Sequence, residues 1–349
     1  MAVALSGLHP DAADDSPASE TGRETNRETR YSVSLTEEGS FAGGLRVPGP
    51  ASGNLLLLQP SFGYKDGDRW RFSTSLAALT DTDGETHTEV RVREVFAGLS
   101  LGDFDFSAGR KLLRWGTGYA FTATGILDPP RVATDPTDRL SLNAGVNLVQ
   151  GDFTKNGSDV TVVWADTGTR QTTAVRYNKL FDGFDTSVIV AQDRGGPSFA
   201  GANFTRVLGD RVELHGELAW RQGAAVLMGG KYTTSTGVTF IGEFYTPPNT
   251  AYYRSMSISP TAGRQHYAFL RASKSRLREL PGWKQWDLTG SAVMNLDDHS
   301  YTGIFDAERR FGNRFSSYVH LEVPQGKKTS EYGVTPYAAS TSAGVRFQL

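Results

Sequence analysis

Hydrophobic and polar residues alternate one by one along most of this chain. In the last thirteen residues, Leu349, Phe347, Val345, Ala343, Thr341, Ala339 and Tyr337 share one phase, and Gln348, Arg346, Gly344, Ser342, Ser340 and Ala338 share the other. In Arg211–Trp220, Val212, Leu214, Gly216, Leu218 and Trp220 oppose Arg211, Glu213, His215 and Glu217. In Phe315–Val323, Phe315, Val319, Leu321 and Val323 oppose Tyr318, His320 and Glu322, and Trp286–Leu296 repeats the pattern. A period of two is the signature of a β-strand with one apolar and one polar face. Short turns join such runs at Leu101-Gly-Asp103, Phe181-Asp-Gly-Phe184, Leu208-Gly-Asp210 and Phe311-Gly-Asn313, as hairpins require. Longer connections fall at 80–87, 116–140, 246–263 and 323–336. When the strands are numbered in order, the short turns fall on one side and the long loops on the other.

This asymmetry, with an even count of about 18 strands, predicts an all-β fold: a transmembrane, antiparallel, up-and-down β-barrel. A count of 16 is the alternative, since the first strand and the pair at 224–246 carry the weakest pattern. A soluble sandwich would place mostly aliphatic residues on the buried face. Here that face is rich in Ala, Gly and Thr, with Trp220, Trp286, Tyr337 and Phe347 near strand ends, closer to a lipid-facing belt. A solenoid or propeller would show a repeat of 20–50 residues, and none stands out.

Composition narrows the picture. The longest aliphatic run, Leu55–Leu58, is far shorter than a membrane helix needs, and mean hydropathy is −0.37. A barrel tolerates this, because only alternate residues meet lipid. A net charge of −2 gives no electrostatic case for nucleic acid. Cysteine is absent. Residues 1–29 are polar beyond Gly7 and read as a disordered or residual leader segment, leaving 30–349 as the barrel.

The densest charge lies in 88–140. Val90 and Val92 share one phase, whereas Val95, Ala97, Leu99 and Leu101 share the other. A bulge near Arg93-Glu94 reconciles them and turns Arg91, Arg93 and Glu94 inward. A second bulge at Gly109, within an expected strand 103–115, would place Arg110 and Arg114 in the lumen. With Arg211, Glu213, His215, Glu217, His320 and Glu322 these are the candidate pore-lining residues. A basic ring favours anions, whereas an internal salt-bridge network would only hold the barrel's shape. The loop 116–140 is too long for a simple turn and mixes apolar anchors with Tyr119, Asp128, Arg131, Asp135, Asp138 and Arg139. It either folds inward as a constriction or caps the barrel outside. Asp135 and Asp138 lack the full spacing of a calcium loop, so no metal or other cofactor is expected.

On Arg93, Glu94, Leu99, Gly109, Arg110, Trp115 and Gly116, followed by Asp128-Pro129 and Asp135-Pro136, the segment resembles Gram-negative outer-membrane barrels of the porin and alginate-export type. The resemblance spans about fifty residues and the C-terminal strand, where Leu349 stands in place of the usual terminal aromatic. It implies an outer-membrane location and recognition of the last strand by the barrel-assembly machinery.

The expected function is a porin-like channel for small hydrophilic, and by its arginines anionic, solutes, in contact with outer-membrane lipid. A homo-oligomer or a periplasmic partner is left open. The alternative is a structural or assembly barrel whose lumen is filled by loops or a partner. An outer-membrane hydrolase built on His215 with Glu217, or His320 with Glu322 and Ser316, is a third reading, since no G-x-S-x-G, H-E-x-x-H or Cys nucleophile appears.

Overall fold

The computed structural model describes residues 27–45, 52–67, 69–83, 85–248, 266–277 and 282–349. Eighteen strands follow in order: β1 (Arg27–Gly43), β2 (Ser52–Asp66), β3 (Trp70–Asp83), β4 (Glu85–Leu101), β5 (Phe104–Lys111), β6 (Val146–Lys155), β7 (Ser158–Asp166), β8 (Gln171–Phe181), β9 (Phe184–Asp193), β10 (Ser198–Leu208), β11 (Val212–Trp220), β12 (Ala224–Thr233), β13 (Val238–Thr246), β14 (Tyr267–Lys274), β15 (Trp286–Asn295), β16 (Ser300–Phe311), β17 (Phe315–Gln325) and β18 (Ala339–Gln348). Each pairs antiparallel with its neighbours in sequence, and β1 also pairs with β18, with Ser34 opposite Gln348 and Gly43 opposite Ala339. The sheet is therefore closed and has no free edge. The alternative of sixteen strands is excluded.

The predicted turns form as their residues demand. Asp182 and Gly183 both take positive φ between β8 and β9, the geometry that suits a two-residue hairpin. The faces also follow the alternation. Leu214 (42% exposed), Leu218 (57%) and Trp220 (62%) point outward from β11, while His215 and Glu217 are buried inside. Outward Leu, Val, Phe and Trp side chains girdle the wall on every side, from Leu56 and Leu58 through Phe106, Val162, Val190, Met228, Leu270 and Phe305 to Val345. Such a belt on a closed barrel is stable only in lipid, so the barrel spans a membrane.

Several expectations are corrected, and others fall outside the described residues. The expected long loop at 80–87 is strand, because β3 and β4 continue in register to Asp83 opposite Glu85. Most of 246–263 lies outside the described residues, as do residues 1–26 of the expected leader; Arg27–Thr29 already belong to β1. The expected strand 103–115 stops at Lys111, and the loop runs over 112–145. Tyr337 does not join the outer belt: it precedes β18, and its hydroxyl donates to the inward Glu322 at 3.3 Å.

The bulge in β4 forms where the alternation breaks. Ser75 faces Glu94 and Leu76 faces Val92, so Arg93 is the extra residue. No register shift occurs at Gly109. Phe96 faces Gly109 and Val95 faces Arg110 without interruption, and the backbone instead crowds Val95 O with φ at 129°. A side chain there would strike that carbonyl, so glycine is required.

Candidate functional site: a loop held inside the barrel

The loop 112–145 enters the lumen, and carboxylates take up its backbone N–H groups. Asp128 accepts from Trp115 N at 2.7 Å and Gly116 N at 3.1 Å. Glu217 of β11 accepts from Thr117 N (2.5 Å), Gly118 N (2.9 Å), Ala123 N (2.6 Å) and Thr124 N (2.7 Å), and from the hydroxyls of Thr117, Thr122 and Thr124. Glu243 of β13 accepts from Tyr119 N, from Ala120 N at 2.9 Å and from Phe121 N at 3.4 Å. Successive N–H groups curled around an anion form an anion-binding concavity, and here the anions belong to the wall itself. The sequence Gly116-Thr-Gly118 permits the limb to curl this tightly: a Cβ on Gly116 would overlap Thr122 Oγ1, and one on Gly118 would overlap Phe121 O. Burial pushes the Asp128 carboxyl up from its ordinary value, against the pull of the Trp115 N–H and Arg131.

Apolar packing completes this limb. Leu113, Trp115, Ala123 and Leu127 join Leu148, Val163, Ile189, Phe199 and Leu227 of the wall in one buried cluster. Phe121 stacks on Tyr245, 5.0 Å between ring centres. Asn203 of β10 donates to Trp115 O at 2.9 Å. His215 is fully buried, with Nε2–H donating to Glu243 Oε1 at 3.0 Å. A methyl on Gly229 would overlap His215 Nε2 and lie 2.8 Å from Gly242 O. Gly229→Ala is therefore expected to destabilise the folded barrel by about 1–3 kcal/mol, read as a lower unfolding temperature of the heat-modifiable band; an unchanged midpoint counts against this packing.

The return limb crosses to the opposite wall. Arg139 pairs with Glu38 of β1, which also accepts from Tyr318 OH at 2.7 Å. Arg346 of β18 donates to Arg139 O at 2.7 Å. Gln59 of β2 donates to Leu140 O and Ser141 O, both at 2.9 Å, and Arg93 donates to Asn143 O at 3.2 Å. Asp135 caps Arg139 N at 3.0 Å, and Asp138 caps Leu142 N at 2.9 Å, so both serve the loop's own turns.

A second loop, 326–338, also folds inward. Glu331 accepts from Asn295 Nδ2 at 2.7 Å and Tyr267 OH at 2.9 Å. Tyr332 is buried with Ala120, Ile241, Phe269, Val293 and Ile304, against Tyr119, Phe121 and Ala133. Two loops thus narrow the lumen together.

Of the candidate wall residues, Arg91, Arg93, Glu94, Glu213, His215, Glu217, His320 and Glu322 lie on the inner face. Arg91 pairs with Glu89 at 2.6 Å, Glu94 accepts from Leu112 N at 2.9 Å, and Glu213 meets Lys231 at 3.1 Å and Tyr119 OH at 3.0 Å. Three do not. Arg110 is in phase with the outward Phe104 and Phe106; it lies on the outer face, donating to Asn147 Oδ1 at 3.0 Å. With no bulge at Gly109, nothing turns it inward. Arg114 is exposed in the loop, because the strand has already ended, and Arg211 is exposed on the turn before β11. The proposed basic cluster is thereby split. All six loop candidates, Tyr119, Asp128, Arg131, Asp135, Asp138 and Arg139, belong to the inward loop. Arg131 donates to Gly116 O at 2.9 Å. Glu243, Glu38 and Asn203 escaped the sequence reading. A lone carboxylate between Ile241 and Tyr245 on the inner phase of β13 was the available signal.

The same architecture occurs in solved structures. Pseudomonas aeruginosa OccK11 (OpdR) superposes with a TM-score of 0.63 at 8% identity, covering 92% of this chain and 96% of that one. OccK2 (OpdF) of the same organism, solved in complex with glucuronate, gives 0.63 at 9%, covering 92% and 98%. Its OprD gives 0.58 at 8%, covering 92% and 95%. The chain has the fold of these outer-membrane barrels. No protein-family model matches it, and no curated protein matches it in sequence.

Proposed function

We propose that this barrel is an outer-membrane channel for small hydrophilic solutes, with a preference for anions. One observation carries the reading. Loop 112–145 is hydrogen-bonded to β1, β2, β4, β10, β11, β12, β13 and β18, and it meets β14, β15 and β16 only through the apolar packing of Tyr119, Ala120, Phe121 and Ala133 among the described residues, with Arg139 over the Tyr318 ring of β17. The arc from β14 to β17 carries Arg271, Asp287, Asp306, Glu308, Arg310, His320 and Glu322 on its inner face; His320 is paired with Asp306 at 2.7 Å and Arg310 with Asp287 at 2.8 Å. Arg271 has no ion-pair partner among the described residues, and Arg93 and Arg346 bond only neutral oxygens of Ser75, Asn143, Thr36 and Arg139. Guanidinium groups without an ion pair, at Arg93, Arg271 and Arg346, are the feature that favours anions, set against the carboxylates of Asp306, Glu308 and Glu322 on the same inner face. A sugar acid of the glucuronate kind, bound in the OccK2 structure, is a first solute to test.

The barrel is expected to conduct in planar bilayers, with a reversal potential in a KCl gradient that reports chloride preference. Arg110→Ala, on the outer face, is expected to leave the conductance unchanged. Absence of current would favour the second reading, a barrel plugged by its two inward loops, for which the burial of Tyr332 against the longer loop speaks. The hydrolase reading lacks geometry. His215 is committed to Glu243, Glu217 to the loop, and Ser316 stands four residues from His320 on β17, about 13 Å along a strand. We assign recognition by the barrel-assembly machinery to β18, with Val345, Phe347 and Leu349 outward.

A further inference from the structure

Outward-facing charges on this barrel gather beside hairpin turns. Arg206 lies 4.3 Å over the Phe184 ring and Arg309 lies 4.7 Å over the Phe311 ring, both at the end that also carries Lys179. Among the described residues two outward charges do not adjoin a hairpin turn: Glu37, in the middle of β1, and Arg110, one residue before the end of β5, which donates to the neutral Asn147 Oδ1 at 3.0 Å and Val92 O at 3.2 Å and has no ion-pair partner. They have opposite signs. They also share a depth, each six residues above an outward aromatic, Tyr31 for Glu37 and Phe104 for Arg110. Six residues of tilted strand rise about 15 Å, well inside an apolar band about 25 Å tall.

Glu37 edges a depression of about 480 Å³ in the outer wall, floored by the small residues Gly39, Ala307, Ser317 and Ala343. An acyl chain lying there offers the carboxylate nothing, and a lipid-facing charge at this depth is unfavourable. A guanidinium satisfies it. Arg110 of the same chain cannot reach, because four strand spacings separate β1 from β5, about 19 Å.

We infer that this face binds a second copy of the chain head to tail, with Arg110 of one copy seated against Glu37 of the next. Such a contact is heterologous, and it closes into a ring when the two faces lie at a suitable angle. Four steps among eighteen strands place them about 80° apart, between the about 60° of three parallel barrels and the about 90° of four.

The native chain has no cysteine, so a designed disulfide reports the contact directly. The variant carrying Glu37→Cys and Arg110→Cys, folded in its membrane and mildly oxidised, is expected to give a disulfide-linked ladder ending at a small closed oligomer. The two positions are too far apart in one chain for a disulfide, which needs Cα atoms within about 7 Å. A control pair, Glu37→Cys with Val175→Cys on β8, is expected to stay monomeric. In a second arm, Glu37→Arg is expected to dissolve the oligomer seen in nanodiscs, and Glu37→Arg combined with Arg110→Glu to restore it; heat-modifiable migration confirms folding of each. A monomeric native chain, cross-linking no greater than the control pair, or an oligomer indifferent to the Glu37→Arg change overturns the inference. Coverage of this face by lipid alone gives the first of these results.

Discussion

Replacing Glu217 with alanine is expected to release the 117–124 limb from the wall, raise single-channel conductance severalfold and lower the stability of the folded barrel by about 3–5 kcal/mol. Four backbone N–H groups and three threonine hydroxyls converge on this one carboxylate. Each buried N–H left without an acceptor costs about 1–3 kcal/mol. The full sum is not reached, because the freed limb moves toward water. That movement widens the lumen. Glu217→Gln keeps the shape and one acceptor oxygen but turns an amide N–H₂ toward donors, so its effect is expected to be intermediate and to appear as flickering current. Conductance traces and the unfolding temperature of the heat-modifiable band check both variants. A Glu217→Ala barrel with native conductance and native stability would show that the loop is held by its apolar cluster alone.

Reversing the charge of Arg271 is the second large effect. Arg271 lies on the inner face of β14 and has no ion-pair partner among the described residues. Arg271→Glu changes the local charge by two units. For an ion passing several ångströms away, at an effective dielectric between protein and water, this amounts to on the order of 1–2 kcal/mol, or about tenfold in the anion-to-cation permeability ratio. The reversal potential in a KCl gradient is expected to shift toward cation preference. The shift should be large in dilute salt and fade near 1 M, where the screening length falls to about 3 Å. A salt-independent or absent shift would place the ion path elsewhere.

The inner and outer faces of the wall were legible from single strands. A strand has only two faces, so the outward Leu214, Leu218 and Trp220 and the inward His215 and Glu217 follow from their spacing. The bulge at Arg93 was legible for the same reason, since a break in phase between Val92 and Val95 admits one local solution. Gly109 was not. A glycine marks either a bulge or a close backbone approach, and only the continuous register opposite Val95 and Phe96 separates the two. That difference of one residue moved Arg110 from the lumen to the lipid-facing surface.

The amino-acid order by itself determined the closed antiparallel barrel, its outward apolar belt and the presence of one long loop rich in apolar and charged residues. These rest on local rules: a period of two, positive φ at Asp182-Gly183, and the length of chain between strands. Only the tertiary structure decided where that loop goes and what holds it. Glu217 and Thr117 lie one hundred residues apart in sequence, Glu38 and Arg139 one hundred and one. Which carboxylate meets which N–H depends on the register and closure of all eighteen strands. No local pattern encodes a contact that exists only once the ring has closed.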